Sequence, residues 1–497
     1  MRFQGFIGPS YELRSLSVEC QRCINMYPEV DEIGTEKDHE VAALISTPGK
    51  KLLATIGTGP IRGMYLSTIN TLYVVSGSEL YQIWPNWQAV LVGTLQTSSG
   101  PVSMADNNSS LFLVDGPNGY YCGMATPPTT PPALTLTRDA NWQGADVVVC
   151  ADGLFVFNKP GTFEFYVSNL LSTDINPLGL ASRVTADPIT GMVWDKRNLW
   201  LLGQRSSEVW YNSGAGVNGT NSNPFQAVQG GYVEVGCSSF FAVQQIANTI
   251  IWLGQDPRGV GQIMMAEGYN PKRISNHSVE IAIQSYGDLS GAVAWTHQED
   301  GHNFYMINFD GADTTWAYDI TTNMWHERCY LTPSTGVLTR DRAQYHALYL
   351  DPRETVGGSM STHIVGDFEN GNIYQLDKNY YLDGSDPIMR RRASPHLSND
   401  MNRVFVSKFQ LDFQPGTSSD GNGQGSDPSA SLQWSDDGGY TWSNERWVKI
   451  GKIGEYTKRA IWRRLGRSRN RVFRVSVTDP IEVIMIGAEL DAESGDN

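Results

Sequence analysis

Cys20 and Cys23 stand at the Cys-x-x-Cys spacing that lets two thiols bind one metal ion or cycle through a disulfide. That chemistry needs a second pair or a thioredoxin-like βαβ setting, and the sequence supplies neither. The six cysteines, thinly spread over 497 residues, read as unbridged structural thiols. A second concentration, His297-Gln298-Glu299-Asp300-Gly301-His302, gathers metal-ligating types within six positions. It lies where the run ending at Trp295 gives way to the run beginning at Phe304, so a polar, solvated hairpin turn is the simpler reading. There is no Gly-x-x-x-x-Gly-Lys-Ser/Thr phosphate loop, no Gly-x-Ser-x-Gly elbow and no His-Glu-x-x-His motif. No catalytic residue, cofactor or metal ligand is assigned, and a non-enzymatic protein is expected.

Charge is distributed unevenly. Eleven Lys or Arg against Glu445 and Glu455 give residues 445–474 a net +9, leaving −24 for the rest of a chain whose total is −15. Arg463, Arg464, Arg467, Arg469 and Arg471, with Trp447 and Trp462 as stacking aromatics, could grip phosphates. No nucleic-acid-binding motif frames them, and an acidic chain of pI near 5.0 is not a general polyanion binder. The favoured reading is a basic sheet face that docks on protein.

The elements that must position these residues are strands. Aromatics reach 11%, charged residues only 18%, and Gly (50) with Pro (24) punctuate the chain, which excludes a coiled coil, a collagen-like chain and a wholly disordered acidic protein. One pattern recurs seven times: a short apolar run, a polar or Gly-rich turn, then a second run. The copies begin at Leu72, Leu111, Leu154, Leu199, Ile250, Phe304 and Ile364, from 39 to 60 residues apart. A four-stranded propeller blade needs about 40 to 50 residues. Blades stack face to face, so their strands are apolar on both faces and read as continuous runs. The expectation is an all-β chain: an N-terminal extended arm and entry strand (1–50), a β-propeller of six or seven blades (51–385) and a small β-sandwich-like module (386–497). Arg390-Arg391-Arg392, between Pro387 and Pro395, reads as a connector. Residues 415–431, almost all Gly, Ser, Asp, Asn, Gln and Pro, read as a mobile loop. No apolar run approaches the roughly 18 residues of a membrane span, and Met1-Arg2-Phe3-Gln4-Gly5 opens no secretory signal, so a soluble protein without membrane insertion, made in the cytoplasm, is expected.

Ser435, Asp437, Gly439, Thr441 and Trp442 complete Ser-x-Asp-x-Gly-x-Thr-Trp, which resembles the Asp-box of sialidases and related propellers. In that family the box staples a turn remote from catalysis and recurs from blade to blade; here the complete copy occurs once, in the C-terminal module. A turn supplies no acid, base or nucleophile, so the structural reading is preferred over a glycan-binding or glycan-cleaving propeller, which remains the rival.

The N-terminal stretch is more specific. Gly8-Pro9-Ser10-Tyr11, the run Gln21-Arg22-Cys23-Ile24-Asn25-Met26-Tyr27-Pro28-Glu29, then Thr47-Pro48-Gly49, Arg62-Gly63-Met64 and the hairpin from Leu72 to Ile83 resemble the opening of the packaged-DNA stabilisation proteins of short-tailed phages, also called tail hub or nozzle proteins. Gln21, Cys23, Asn25, Tyr27, Pro28 and Glu29 carry the motif. The resemblance is clearest over residues 1 to about 85. It implies a structural virion protein of the phage tail, assembled in the host cytoplasm as a ring, with six copies, below a portal and tail adaptor. It further implies neighbours among the tail spike, fibre or needle proteins, and double-stranded DNA that passes in transit without tight binding and is retained until ejection.

Overall fold

The computed structural model describes residues 2–31, 41–214, 223–256, 259–350, 361–399, 402–414, 416–417 and 423–495. Seven four-stranded antiparallel blades follow one another. Blade 1 runs Ile61–Leu66, Leu72–Ser76, Glu79–Ile83, Ala89–Thr94. Blades 2, 3 and 4 span residues 103–136, 148–182 and 189–233 in the same order. Blade 5 has a split inner strand (Gly236–Cys237 and Gln244–Ile246), and blade 6 runs Val293–Glu299, His302–Phe309, Thr314–Asp319, Met324–Leu331. Each of the seven sequence copies begins on the second strand of a blade.

The second strands explain why those copies are apolar throughout. In blade 1, Tyr73 and Val75 pack with Leu111 and Leu113 of blade 2, while Leu72 and Val74 pack with Ile364 and Ile373 of blade 7. Phe112 and Val114 then turn to Phe155 and Phe157 of blade 3, and the alternation continues around the circle. A strand side chain points to alternate faces, so a strand between two neighbours must be apolar on both. The sole α-helix among the described residues, His277–Ser285, is capped by Asn276, whose Oδ1 accepts from Val279 N at 3.0 Å. It lays Val279 and Ile283 into the joint between blades 5 and 6.

Blade 7 is built from both ends of the propeller sequence. Ala343–Leu350, Ser361–Asp367 and Asn372–Asp377 supply three strands, and Gly49–Thr55 supplies the fourth, pairing Asp377↔Gly49 through Asn372↔Thr55. This clasp closes the circle. Its anchor is Lys50, whose buried Nζ lies 2.5 Å from Asp341 Oδ1 and 2.7 Å from Asp383 Oδ2.

The N-terminal segment is not an arm. Cys20–Ile24 joins one sheet of the sandwich with Arg390–Ala393, Asn470–Val477, Ser429–Ser435 and Arg446–Lys449, whereas Met26–Val30 and Val41–Ser46 join the other with Ile484–Ser494, Val404–Phe413 and Ala460–Ser468. The first sheet runs on into blade 6, because Ile24 pairs in parallel with Glu327. The sandwich core holds Phe6, Phe409, Trp462, Phe473 and Met485. Two further expectations change. Arg390-Arg391-Arg392 is a strand inside the sandwich and not a connector: alternation turns Arg390 and Arg392 inward, where both are fully buried. In the expected mobile loop, 415 and 418–422 lie outside the described residues, and residues 429–431 belong to a strand.

Candidate functional site

The motif residues Gln21 to Glu29 form the seam between propeller and sandwich. At Asn25 the chain leaves one sandwich sheet for the other, with φ +54°, a left-handed conformation that Asn tolerates better than most residues. Its Nδ2 donates to the carbonyls of Cys329 and Met389, both at 2.9 Å, and its Oδ1 accepts from Cys329 N at 2.9 Å. One amide therefore ties blade 6 to the strand that enters the sandwich. Cys23 lies in the sandwich core, where burial pushes its thiol up to about 12. Cys20 and Cys23 are three positions apart on one strand and so face opposite sides of it, which prevents them from sharing a metal. Gln21 Oε1 accepts from Arg392, and Pro28 pairs opposite Leu44. Tyr27 packs edge-on against His302 and Phe304, with centroids 5.0 and 5.2 Å away. Glu29 Oε2 lies 3.4 Å from His302 Nε2.

Arg392 is the post around which the first residues fold. It donates to Phe6 O (2.5 Å), Pro9 O (2.7 Å) and Gly5 O (2.9 Å). Burial lowers both Arg390 and Arg392 to about 10. Arg392 tolerates such a place because its donors find fixed carbonyl acceptors, whereas Arg390 reaches only the Asp479 and Tyr381 carbonyls, at 3.2 and 3.3 Å. The i, i+2 spacing of Arg390 and Arg392 was the available signal, legible only once the segment is known to be a strand.

Five of the eight histidines gather at the joint of blades 6 and 7. The Asp300-Gly301 turn is a tight hairpin with both φ positive, as its polar sequence suggests, but its flanks are not solvated: His297 and His302 are each 5% exposed. His302 Nδ1 is 2.7 Å from Asp319 Oδ2, a hydrogen bond that raises its pKa. His346 Nε2 and His363 Nδ1 approach to 2.8 Å, and Arg328 Nε donates to His326 Nε2 at 3.0 Å. Burial holds His297, His326 and His363 below their usual range and His346 at about 3; it raises Glu299 to about 7. A cavity of about 20 Å³ among Asn25, Lys50, His297, Arg328, Asp341 and Asp383 sits at the centre of this polar joint.

The Asp-box is a closed hydrogen-bonded turn. Asp437 Oδ1 accepts from Ser435 Oγ (2.6 Å) and Thr441 N (2.9 Å), Asp437 Oδ2 accepts from Thr441 Oγ1 (2.5 Å), and Gly439 N donates to Ser435 Oγ (2.7 Å). The hydroxyls of Ser435 and Thr441 hold the Asp437 carboxyl well below the usual carboxylate range. Gly438 and Gly439 have φ +81° and +101°, and Trp442 carries the Arg474 guanidinium 3.9 Å above its ring. The side-chain oxygens of Ser435, Asp437 and Thr441 all bond within the turn itself.

Of the five arginines assigned to the basic face, Arg463, Arg464, Arg467 and Arg469 are exposed. Arg471 is not on that face: it is 2% exposed and clamps Asp436 beside the Asp-box through two bonds of 2.6 and 2.7 Å. Strand alternation turns it under the sheet. Trp462 also points inward, donating to Arg446 O at 2.7 Å, whereas Trp447 is 52% exposed. At the mouth of the propeller axis a cavity of about 480 Å³ is walled by Arg62, Phe240, Phe241, Arg340, Tyr345 and Phe368. Arg62 there spends its donors on the carbonyls of Gly77, Thr97, Ser99 and Gly100.

These features define a class: a clasped seven-bladed propeller fused through a shared sheet to a sandwich, its distinctive side chains devoted to holding the pieces together. Among the described residues, no group of three or more His, Cys, Asp or Glu is placed to hold a metal. Family models described as bacteriophage P22 Gp10, beta-propeller, and bacteriophage P22 Gp10, beta-sandwich, match residues 20–381 and 389–493. The chain belongs to that family of phage tail stabilisation proteins and is a structural component of the phage tail. No curated protein matches it. Among solved structures it is similar to the WD40 propeller of Doa1 (13% identity, 66% of this chain and 96% of that one, TM-score 0.39). It is also similar to the WD40 domain of Neurospora crassa Pan2 (8%, 64% and 89%, 0.40) and to PorZ of Porphyromonas gingivalis (11%, 72% and 44%, 0.34). Among the described residues no helix is long and apolar enough to cross a membrane.

Proposed function

We propose that this chain is the subunit of a tail nozzle: a ring, with six copies, that continues the DNA channel below a portal and adaptor, retains packaged DNA and then lets it pass. The observation that carries this reading is the family match across both the propeller and the sandwich. The closed propeller axis supports one refinement. The cavity at its mouth holds only about 480 Å³ and has aromatic and arginine side chains in its wall, so a duplex would travel between subunits and not through a propeller. The −24 outside residues 445–474 favours a carboxylate-rich passage that repels phosphates, acting over about 8 Å at physiological salt. The role is structural and not enzymatic, in keeping with an Asp-box in which the side-chain oxygens of Ser435, Asp437 and Thr441 bond within their own turn. The test is the native mass of the purified chain, alone and with the upstream tail adaptor. A closed ring is expected, and a chain that stays monomeric at high concentration with adaptor present ends this reading.

A further inference from the structure

Blade 3 presents an apolar rim. Between its third and outer strands, Leu170, Leu171 and Leu178 are 48%, 60% and 63% exposed, and Leu180 with Tyr211 of blade 4 extend the patch. The loop is well tied: Leu171 N donates to Gly153 O (2.9 Å), Asn169 N to Asp174 O (2.8 Å), and Asn223 Nδ2 reaches from blade 4 to Gly179 O (2.8 Å). Leu171 has φ +54°, a conformation that a bulky side chain adopts only when its surroundings impose it. Single exposed leucines are ordinary; a cluster of them on a fixed, strained loop marks a contact surface.

The far flank, where the sandwich hangs from blade 6, carries the opposite character. Trp447 and Tyr456 are exposed among Arg446, Lys452, Arg459, Arg463, Arg464 and Arg467. Arg463, Arg464, Arg467 and Arg469 make no ion pair among the described residues, whereas Lys449 and Lys458 pair with Asp427 and Glu455. Exposed Trp, Tyr and Arg together are the composition of an interface core. In the first turn of blade 4, Lys196 is held by Asn248 O and Arg197 lies 3.7 Å from Asp152 of blade 3, while Asp174 stands in the leucine loop itself, accepting from Ser172 Oγ.

We infer that neighbouring copies of this chain join head to tail, the basic aromatic edge of one copy's sandwich seating on the leucine rim of the next copy's blade 3. The inference rests on the ring reading and says which surfaces close it. Two unlike patches on opposite flanks make a heterologous contact, the kind that generates rings when the rotation closes. The edge carries nine exposed cations from Arg446 to Arg469, and the leucine loop carries the exposed carboxylate of Asp174.

The experiment uses two full-length variants, Leu171→Asp with Leu178→Asp, and Arg463→Glu with Arg467→Glu, each checked for an unchanged thermal midpoint. Native mass and light scattering should show each variant alone as a monomer under conditions where the unsubstituted chain assembles. An equimolar mixture should give one-to-one pairs, because each variant keeps the half of the contact that the other has lost. Either variant assembling like the unsubstituted chain, or a mixture that fails to pair, overturns the contact while leaving the ring reading standing. An unsubstituted chain that never assembles, even with the adaptor, removes both. Sub-micromolar binding of duplex DNA that the arginine variant alone abolishes, with assembly intact, would assign the basic edge to nucleic acid instead.

Discussion

The joint between blades 1 and 2 and the joint between blades 6 and 7 solve the same packing problem with different chemistry. The first is filled by Tyr73, Val75, Leu111, Leu113 and Tyr120. The second adds to Trp295, Phe304 and Val365 a set of histidines, Arg328, Glu299 and the Lys50 ion triad, and it borrows Tyr27 from the N-terminal seam. An apolar joint is held by surface burial, about 25 cal/mol per Å², and is indifferent to small changes of direction. A polar joint holds only if each donor meets its acceptor, and it fixes one geometry. The propeller is thus tolerant where blades merely stack and exacting where the closing strand, blade 6 and the sandwich must meet.

The largest test of that contrast is at Arg392. Replacing it with Ala should cost about 3–5 kcal/mol, since Gly5, Phe6 and Pro9 carbonyls lose a buried charged donor. Arg392→Met, which restores volume, should recover little of it. Leu113→Met in the apolar joint should cost under about 1.5 kcal/mol by the same denaturant titration. Equal costs for the two Met variants would erase the distinction.

Next in size is acid sensitivity. His297, His326, His346 and His363 have depressed folded pKa values, so below the unfolded value of about 6.5 the unfolded chain takes up protons that the folded chain refuses. Stability therefore falls as pH drops from 6.5, by on the order of 2 kcal/mol at pH 5 for each histidine that stays neutral. Glu299, raised to about 7, acts in the opposite sense: the folded chain gains its proton first, which adds stability as pH falls from 7 towards 4.5. His302, raised by Asp319, likewise favours the folded state as pH falls towards 6.5. Four histidines outweigh one carboxyl below pH 6. Thermal midpoints across pH 4.5–8 should peak between about 6 and 7, and His346→Gln with His363→Gln should flatten the acid limb. A flat profile would show the joint to be insensitive.

A smaller effect is expected at Asn25. Asn25→Ala should lose about 1–3 kcal/mol, from three hydrogen bonds and an unfavourable φ. Asn25→Gly relieves the backbone but not the bonds, so it should recover only part, and full recovery would make the seam a matter of backbone conformation alone. Least of all, Asp437→Ala should lower the unfolding midpoint modestly without altering any activity, its carboxylate being exposed and local to its turn. Cleavage of host polysaccharide by the unsubstituted chain, abolished in that variant, would return the Asp-box to chemistry.

The sequence by itself determined what is local. Strands apolar on both faces can only be sandwiched, so the seven runs from Leu72 to Ile364 announced stacked blades, and Ser435 to Trp442 announced its turn, because those bonds join residues at most a few positions apart. Blade number, the role of residues 1–50 and the fate of individual charges were decided only by the tertiary structure. Gly49–Thr55 finds its partner Asn372–Asp377 more than 300 residues away, and its own pattern, Gly-Lys-Lys-Leu-Leu-Ala-Thr, carries no mark of that pairing. Arg392 reads as part of a connector and Arg471 as part of a basic face, since burying a guanidinium is costly in general; they are buried here because folding brings fixed acceptors from distant segments around them. The histidines follow the same rule. Scattered from His297 to His363, they become one cluster when two blades close on each other; desolvation, a property of that enclosure and not of any local spacing, lowers the pKa of His297, His326, His346 and His363, while the Asp319 bond raises that of His302.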